Sequence, residues 1–337
     1  MKSRIKNFFI LFINSILMGT ANKLPGISGG LVALITGFYS EMINSLKKIN
    51  HKTILYLLKG NFKKFDSEYN GVFLIVILCG IIVSYFTTSL ILDFFFIKSE
   101  LNVWSLFFGM VIASVYILFK KNKISQMKDL LLILLGLVFG IIISLSEPMR
   151  ENKNLFFVFF CGFISICGMI IPGISGSFLL ILLGNYRLLL VDAVNNLLFY
   201  IENLLGLNSS NTIDFQLINL LIIFCMGSLM GLVFLSKILS YLILRYNRET
   251  NFTIIGFVIG SLFIIWPWKK VMENQEELIN SFQNIKTNED YLRYLPDINQ
   301  SIDLLALIWI LIGFIFVVII ENYGSRETKF WVNRKKH

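Results

Sequence analysis

The chain is 337 residues long, 56% hydrophobic and only 15% charged, with a mean hydropathy of +0.73. That leaves too little polar surface for a water-soluble fold, and apolar runs such as 71–97 and 302–320 reach the ~20 residues that cross a bilayer. A soluble enzyme, a disulfide scaffold and a disordered chain are excluded. The net charge of +9 lies in short segments between apolar runs, as inner-face basic residues do in membrane proteins, so nucleic acid is not expected as a partner.

Lys2, Arg4 and Lys6 assign the amino terminus to the cytoplasm. Residues 8–21 and 26–39 each give ~21 Å of helix against a hydrocarbon core of ~30 Å. They are predicted as the arms of a re-entrant hairpin with its tip at Lys23 to Gly30; two full spans would need tilt or thinning. The lysines of 40–70 (Lys47, Lys48, Lys52, Lys59, Lys63 and Lys64) return the chain to the cytoplasm. Within that stretch, Met42, Ile43, Leu46, Ile49 and Leu57 predict an amphipathic helix over 42–58 on the inner leaflet.

Three spans follow at about 71–97, 102–119 and 129–146, with Lys120, Lys121, Lys123 and Lys128 inside. Residue 147 is then outside, and a second hairpin, 154–171 and 173–190, enters from the opposite face. The stretch 191–214 has Asp192, Glu202 and Asp214 but no Lys or Arg, which suits the outside. Spans at 215–244, 252–268 and 302–320 complete the chain, with Arg245 and Arg248 inside and the acidic 269–301 loop outside. By this register 21 basic residues lie inside and 7 outside, which orients both termini to the cytoplasm. Trp104, Trp266 and Trp268 fall at outer boundaries, where indole rings settle.

The chain repeats itself. Residues 25–39 read PGISGGLVALITGFY and residues 172–186 read PGISGSFLLILLGNY, so PGISG-x7-G-x-Y recurs 147 residues on. The predicted fold is therefore an all-α polytopic membrane protein of two inverted repeats, 1–147 and 148–337. Each is a re-entrant hairpin plus three spans, the pattern of transporters with a midplane site built from broken helices. Gly227 and Gly231 form a G-x-x-x-G pair read as plain helix packing.

At Pro25 and Pro172, proline suits a first helical position, where its missing N–H costs nothing. Glycine beside it admits a ligand close to the backbone. The N–H groups of Gly26, Ser28, Gly29 and Gly30, and of Gly173, Ser175, Gly176 and Ser177, are expected to face each other as two positive helix ends, with serine hydroxyls as further donors. An anion, above all a phosphate, matches that constellation; the alternative is a hairpin turn and nothing more. Lys23 at the first tip would neutralise the anion, with snorkelling as its alternative. Arg187, at the outer end of the second hairpin, would draw in an anionic headgroup or serve as an interfacial anchor. Asn22 would coordinate or cap, and Asp93 reads as a solvated boundary carboxylate, with a proton or sodium role as its alternative.

GTANKLPGISGG from Gly19 and CGMIIPGISGSF from Cys167 resemble the two signature motifs of the bacterial polyprenyl-phosphate translocases, and the likeness covers nearly the whole chain. The resemblance implies a carrier that returns undecaprenyl phosphate to the cytoplasmic leaflet of a bacterial inner membrane for envelope polymer synthesis. It also implies that the PGISG residues of both motifs bind substrate. The family's first motif commonly has an apolar residue where Lys23 stands, so the role of Lys23 is inferred from its position alone.

A small-anion or solute channel with paired half-helices is a rival reading, although the N-P-A tips of aquaporins are missing. No nucleophile–base pair, Walker loop or metal-ligand spacing is found, and only His51 and His337 are histidines, which argues against an enzyme acting on the lipid. No cofactor is expected; coupling to protons or sodium and the oligomeric state are left open. A purely structural scaffold would explain the duplication but not the paired donors.

Overall fold

In hydrocarbon every backbone N–H and C=O must be paired within its own segment, so runs of Leu, Ile and Phe fold as helices. The computed structural model describes residues 2–48, 62–145, 151–166, 168, 175–207, 212–271, 291–297 and 299–334. Its helices are α1 (Lys2–Lys23), α2 (Gly29–Ile35), α3 (Tyr39–Lys48), α4 (Phe62–Tyr69), α5 (Gly71–Lys121), α6 (Met127–Leu145), α7 (Leu155–Ser165) and α8 (Gly176–Leu182). A π-helical turn, Leu188–Asp192, then runs into α9 (Ala193–Leu204), followed by α10 (Phe215–Arg245), α11 (Asn247–Ser261) and α12 (Ser301–Arg334). Among the described residues the fold is helical apart from one antiparallel ribbon, β1 (Lys269–Val271) with β2 (Tyr291–Arg293). Residues 49–58 of the predicted surface helix lie outside the described residues; Tyr39–Lys48 is helical and buries Met42.

Among the described residues four helices are long and apolar enough to cross a membrane: α5, α6, α10 and α12. Helix α5 has 51 residues, ~76 Å if straight. It breaks at Ser99, where φ is −164° and ψ is 92°. Phe96 and Phe107 then stack edge to face at 6.4 Å, whereas eleven residues of straight helix would separate them by ~16 Å. The segment is thus two antiparallel arms, one on each side of Ser99. The predicted span 252–268 is shorter than expected, because α11 ends at Ser261 and gives way to turns.

Glycines set the helix neighbours. A Cβ on Gly80 would press on Phe12 O, and one on Gly227 would overlap Phe159 O. Gly109 lies against Ile310 O and Gly256 against Ile133 O. Gly313 lies against Leu106 O and Gly136 against Thr253 O. These seams join α1 to the first arm of α5, α7 to α10, the second arm of α5 to α12, and α6 to α11. Backbones approach this closely only where a side chain is missing. Large apolar side chains such as Leu78, Ile91, Phe94, Leu135, Phe139 and Leu311 face outward, as lipid contact requires.

Polar contacts gather at the two ends. At one end Lys121 pairs with Glu321, Arg248 Nη2 lies 2.5 Å from Asp129 Oδ2, and Asn251 reaches Asn122 at 3.2 Å. At the other end are the Ser99 turn, the Asn152–Asn185 hydrogen bonds of 2.8 and 2.9 Å, Arg187 with Asp192, and the ribbon.

Candidate functional site

From the serine onward the two motif copies follow the same backbone course. Helices α2 and α8 are seven residues each, start after Ser28 and Ser175 in extended conformation, and end two residues before glycines of positive φ, Gly37 (84°) and Gly184 (74°). Pro25 is not the first residue of a helix, contrary to the expectation from its sequence. Gly26 follows it at φ +82°, a left-handed value that interrupts the helix, and α2 restarts only after Ser28, a favoured N-cap type. A Cβ on Gly26 would also lie 2.7 Å from Met110 O and from Ser114 Oγ. Asn22, at the end of α1, takes the capping role through its Oδ1, which accepts from the Gly29 N–H at 3.1 Å. The predicted second arm, 173–190, stops at Leu182 as a helix; Pro172 and Gly173 lie outside the described residues.

The two tips meet. Gly26 N–H donates to Ser175 Oγ at 3.1 Å across 149 residues of sequence. Ser175 Oγ also accepts from Phe178 N at 3.2 Å and shares a 3.0 Å hydrogen bond with Ser177 Oγ. Both serines are buried, whereas Ser28 is exposed and its hydroxyl makes no cap bond. Ser114 Oγ donates to Gly26 O at 3.0 Å, which ties the turn to the second arm of α5. Gly29 is buried and Gly30 partly so, with Gly176 partly buried on the other tip.

Lys23 does not snorkel. It is fully buried, and Nζ donates at 2.6 Å to Tyr85 O and at 2.6 Å to Leu190 O. The Tyr85 ring lies 5.2 Å from Nζ. Tyr186 Oη donates to Lys23 O at 3.0 Å, holding the tip of the first motif to the last residue of the second. The π turn supplies the receiving carbonyl: Ser89 Oγ is within 3.2 Å of Leu190 O and 2.9 Å of Val191 O. Widened turns of this kind free carbonyls from the regular ladder. Among the described residues Lys23 has no carboxylate in ion-pair range.

Arg187 stands apart from the tips. Its Nε is 3.8 Å from Asp192 Oδ1 and its guanidinium 5.2 Å from the Phe96 ring, close to the Ser99 turn. Burial raises the Asp192 carboxyl to about 6, with Arg187 working against that shift. No group of three His, Cys, Asp or Glu placed to hold a metal occurs among the described residues.

Several residues around the tips carried no assignment from sequence: Tyr85, Ser89, Ser114 and, within the motif, Tyr186. A signal for two of them was present. Ser84, Tyr85, Thr88 and Ser89 recur four apart on one face of the mostly apolar first arm of α5, and Thr88 meets Thr20 at 3.0 Å.

Residues 18–283 match the family described as undecaprenyl phosphate translocase-like (VCA0040-like). A protein of Vibrio cholerae serotype O1 named "Polyprenyl-phosphate transporter" is 29% identical over 330 residues, covering 97% of this chain and 100% of the relative. A Staphylococcus aureus protein of the same name is 27% identical over 271 residues, 77% of this chain and 86% of the relative. No solved structure matches the chain.

Proposed function

The chain belongs to the undecaprenyl phosphate translocase-like family, and on that premise we propose how it translocates a polyprenyl phosphate: the headgroup crosses at the junction of the two PGISG tips while the isoprenoid tail stays in lipid. It is a membrane transporter and, in this reading, resides in the bacterial inner membrane with both termini cytoplasmic. The observation that carries the reading is the Gly26 N–H to Ser175 Oγ bond, formed beside a buried lysine with no carboxylate partner among the described residues.

A bare phosphate cannot enter hydrocarbon without a polar stepping site, since an isolated ion there costs tens of kcal/mol. Helices of seven residues contribute little dipole, so the local N–H groups, the Ser28, Ser175 and Ser177 hydroxyls and the Lys23 ammonium act as the donors. Gly26 and Gly29 already bond to Ser175 and Asn22. The phosphate therefore takes over bonds that close the tips in the empty carrier. Direct tip-to-tip bonding also favours a carrier over an open anion channel.

Re-entrance is supported by the packing of Leu11 with Phe38, Met42 and Phe73, which puts the start and finish of the first hairpin at one level. Asn152 and Asn185 do the same for the second hairpin at the opposite, Ser99 end. Inverted duplication is supported by the glycine seams. Phe12–Gly80 corresponds to Phe159–Gly227 at 147 residues on, and the pair of seams with α12 corresponds to the pair between α6 and α11.

The test is reconstitution in liposomes with a fluorescent polyprenyl phosphate. Flipping should require the phosphate and the tail together and fall at least tenfold in Ser28→Ala and Ser175→Ala. Wild-type flipping in both variants would remove the tips from the path. Transport of free phosphate at the same rate would instead select the channel.

A further inference from the structure

The two copies are not equal. Corresponding contact residues lie 147 apart as far as Leu106 with Thr253 and Gly109 with Gly256, then 177 apart for Ile133 with Ile310 and Gly136 with Gly313. About thirty residues between α11 and α12 therefore have no counterpart between the second arm of α5 and α6. That extra stretch includes the ribbon, at the Ser99 end of the molecule.

The ribbon sets two cations opposite each other: Lys269 is the register partner of Arg293. Like charges facing across strands repel. Among the described residues Arg293 Nε and Nη2 are buried without a hydrogen-bond partner, and the guanidinium lies 4.1 Å from the Phe263 ring. Leaving such donors unmet is costly. Lys269 Nζ donates to the carbonyl of Ile264, and among the described residues neither cation makes an ion pair. Among the described residues, two carboxylates at this end are engaged elsewhere. Asp303 accepts from Trp268 Nε1 at 3.0 Å and from Asp297 N at 2.8 Å, and Glu100 accepts from Trp104 Nε1 at 3.0 Å. Burial, reinforced by Arg293, lowers the Lys269 ammonium to about 8.

The frame around the pair is built from aromatic residues. Trp266 and Trp268 lie 5.3 Å apart, Trp266 Nε1 donates to Tyr294 O at 2.9 Å, and Tyr294 N donates to Trp268 O at 3.1 Å. Indole rings favour headgroup depth. Phe263 and Leu295 are exposed beside them, and so offer an apolar edge to a tail. We propose that Lys269 and Arg293 form a second anion site, which docks the phosphate of the lipid substrate at the membrane face bearing the Ser99 turn before it moves to the tips. A phosphate oxygen pair fits the Arg293 fork, and its charge cancels the repulsion with Lys269. Because the ribbon exists in one copy only, it breaks the symmetry of the carrier and favours loading from one leaflet. This inference rests on the lipid-carrier reading above.

The experiment is native mass spectrometry of the full chain in detergent, titrated with undecaprenyl phosphate, undecaprenol and inorganic phosphate. Wild type should bind two undecaprenyl phosphates and no undecaprenol. The double variant Lys269→Gln, Arg293→Gln should bind one, its lost site weakened at least tenfold, while Arg293→Lys should retain part of the affinity. Ser175→Ala should also lose one, at the tips. Two lipids on the glutamine double variant would overturn the ribbon site, whatever Ser175→Ala does. Two lipids on Ser175→Ala with one on the double variant would overturn the tips alone. Inorganic phosphate occupying the ribbon as well as the lipid does would overturn the lipid source. The unliganded glutamine variant should melt no lower than wild type, because a repulsion has been removed; a lower melting point would make the pair structural and overturn the proposal.

Discussion

Replacing Lys23 by methionine separates two roles of one ammonium. In the empty carrier Nζ donates at 2.6 Å to Tyr85 O and to Leu190 O, and charge-assisted bonds of this kind contribute about 1.5–3 kcal/mol each. Against them stands the desolvation of a fully buried cation without a carboxylate partner among the described residues, which costs several kcal/mol. Methionine fills the space of the aliphatic stem, and Leu190 O keeps Ser89 Oγ at 3.2 Å. The opposing contributions leave a net change of about 1–2 kcal/mol, so the melting point moves by only a few degrees. Binding has no such compensation. A phosphate seated about 5 Å from the ammonium, at an effective dielectric of about 20, gains about 3 kcal/mol, a factor of about 200 in affinity. The assay pairs thermal unfolding with a titration of undecaprenyl phosphate on the same sample, because a ligand of the native state raises its melting point. A well-folded Lys23→Met chain whose affinity stays within about threefold of wild type would refute the assignment of Lys23 as counter-charge.

Three further outcomes are expected. Ser175→Ala removes the acceptor of both Gly26 N–H and Phe178 N, so stability should fall by about 1–2 kcal/mol; an unchanged denaturation midpoint would mean that the tips are not held by this bond. Gly109→Ala and Gly256→Ala press on Ile310 O and Ile133 O in corresponding seams, and should destabilise by similar amounts, about 1–3 kcal/mol each; a loss confined to one of them would argue against equivalent seams. Asp192 has a folded value of about 6 against an ordinary 3.8. Its contribution to stability is therefore greatest below the unfolded value and is lost as pH rises through about 6. The melting-point advantage of Asp192→Asn over wild type should grow between about pH 4 and 6 and level off above, and a pH-independent difference would contradict the burial of that carboxyl.

What the sequence determined by itself was local. Hydropathy runs located α5, α6, α10 and α12, because a chain without water must pair its backbone within each segment. The PGISG repeat located the break in the first copy and the start of α8 in the second, because glycine and proline act on the residues beside them. Even there the resolution was limited: proline is compatible with a helix start or a turn, and it was Gly26 at φ +82° and the cap at Ser28 that placed Pro25 in the turn. The tertiary structure alone decided who meets whom. The partners of Lys23 are the carbonyls of Tyr85 and Leu190, and a carbonyl is common to every residue and leaves no mark in a sequence. The register of Lys269 against Arg293 depends on the pairing of β1 with β2. The tips themselves meet across the two copies, Gly26 with Ser175 across 149 residues of chain, while glycine seams hold α1 on α5 and α7 on α10 within each copy.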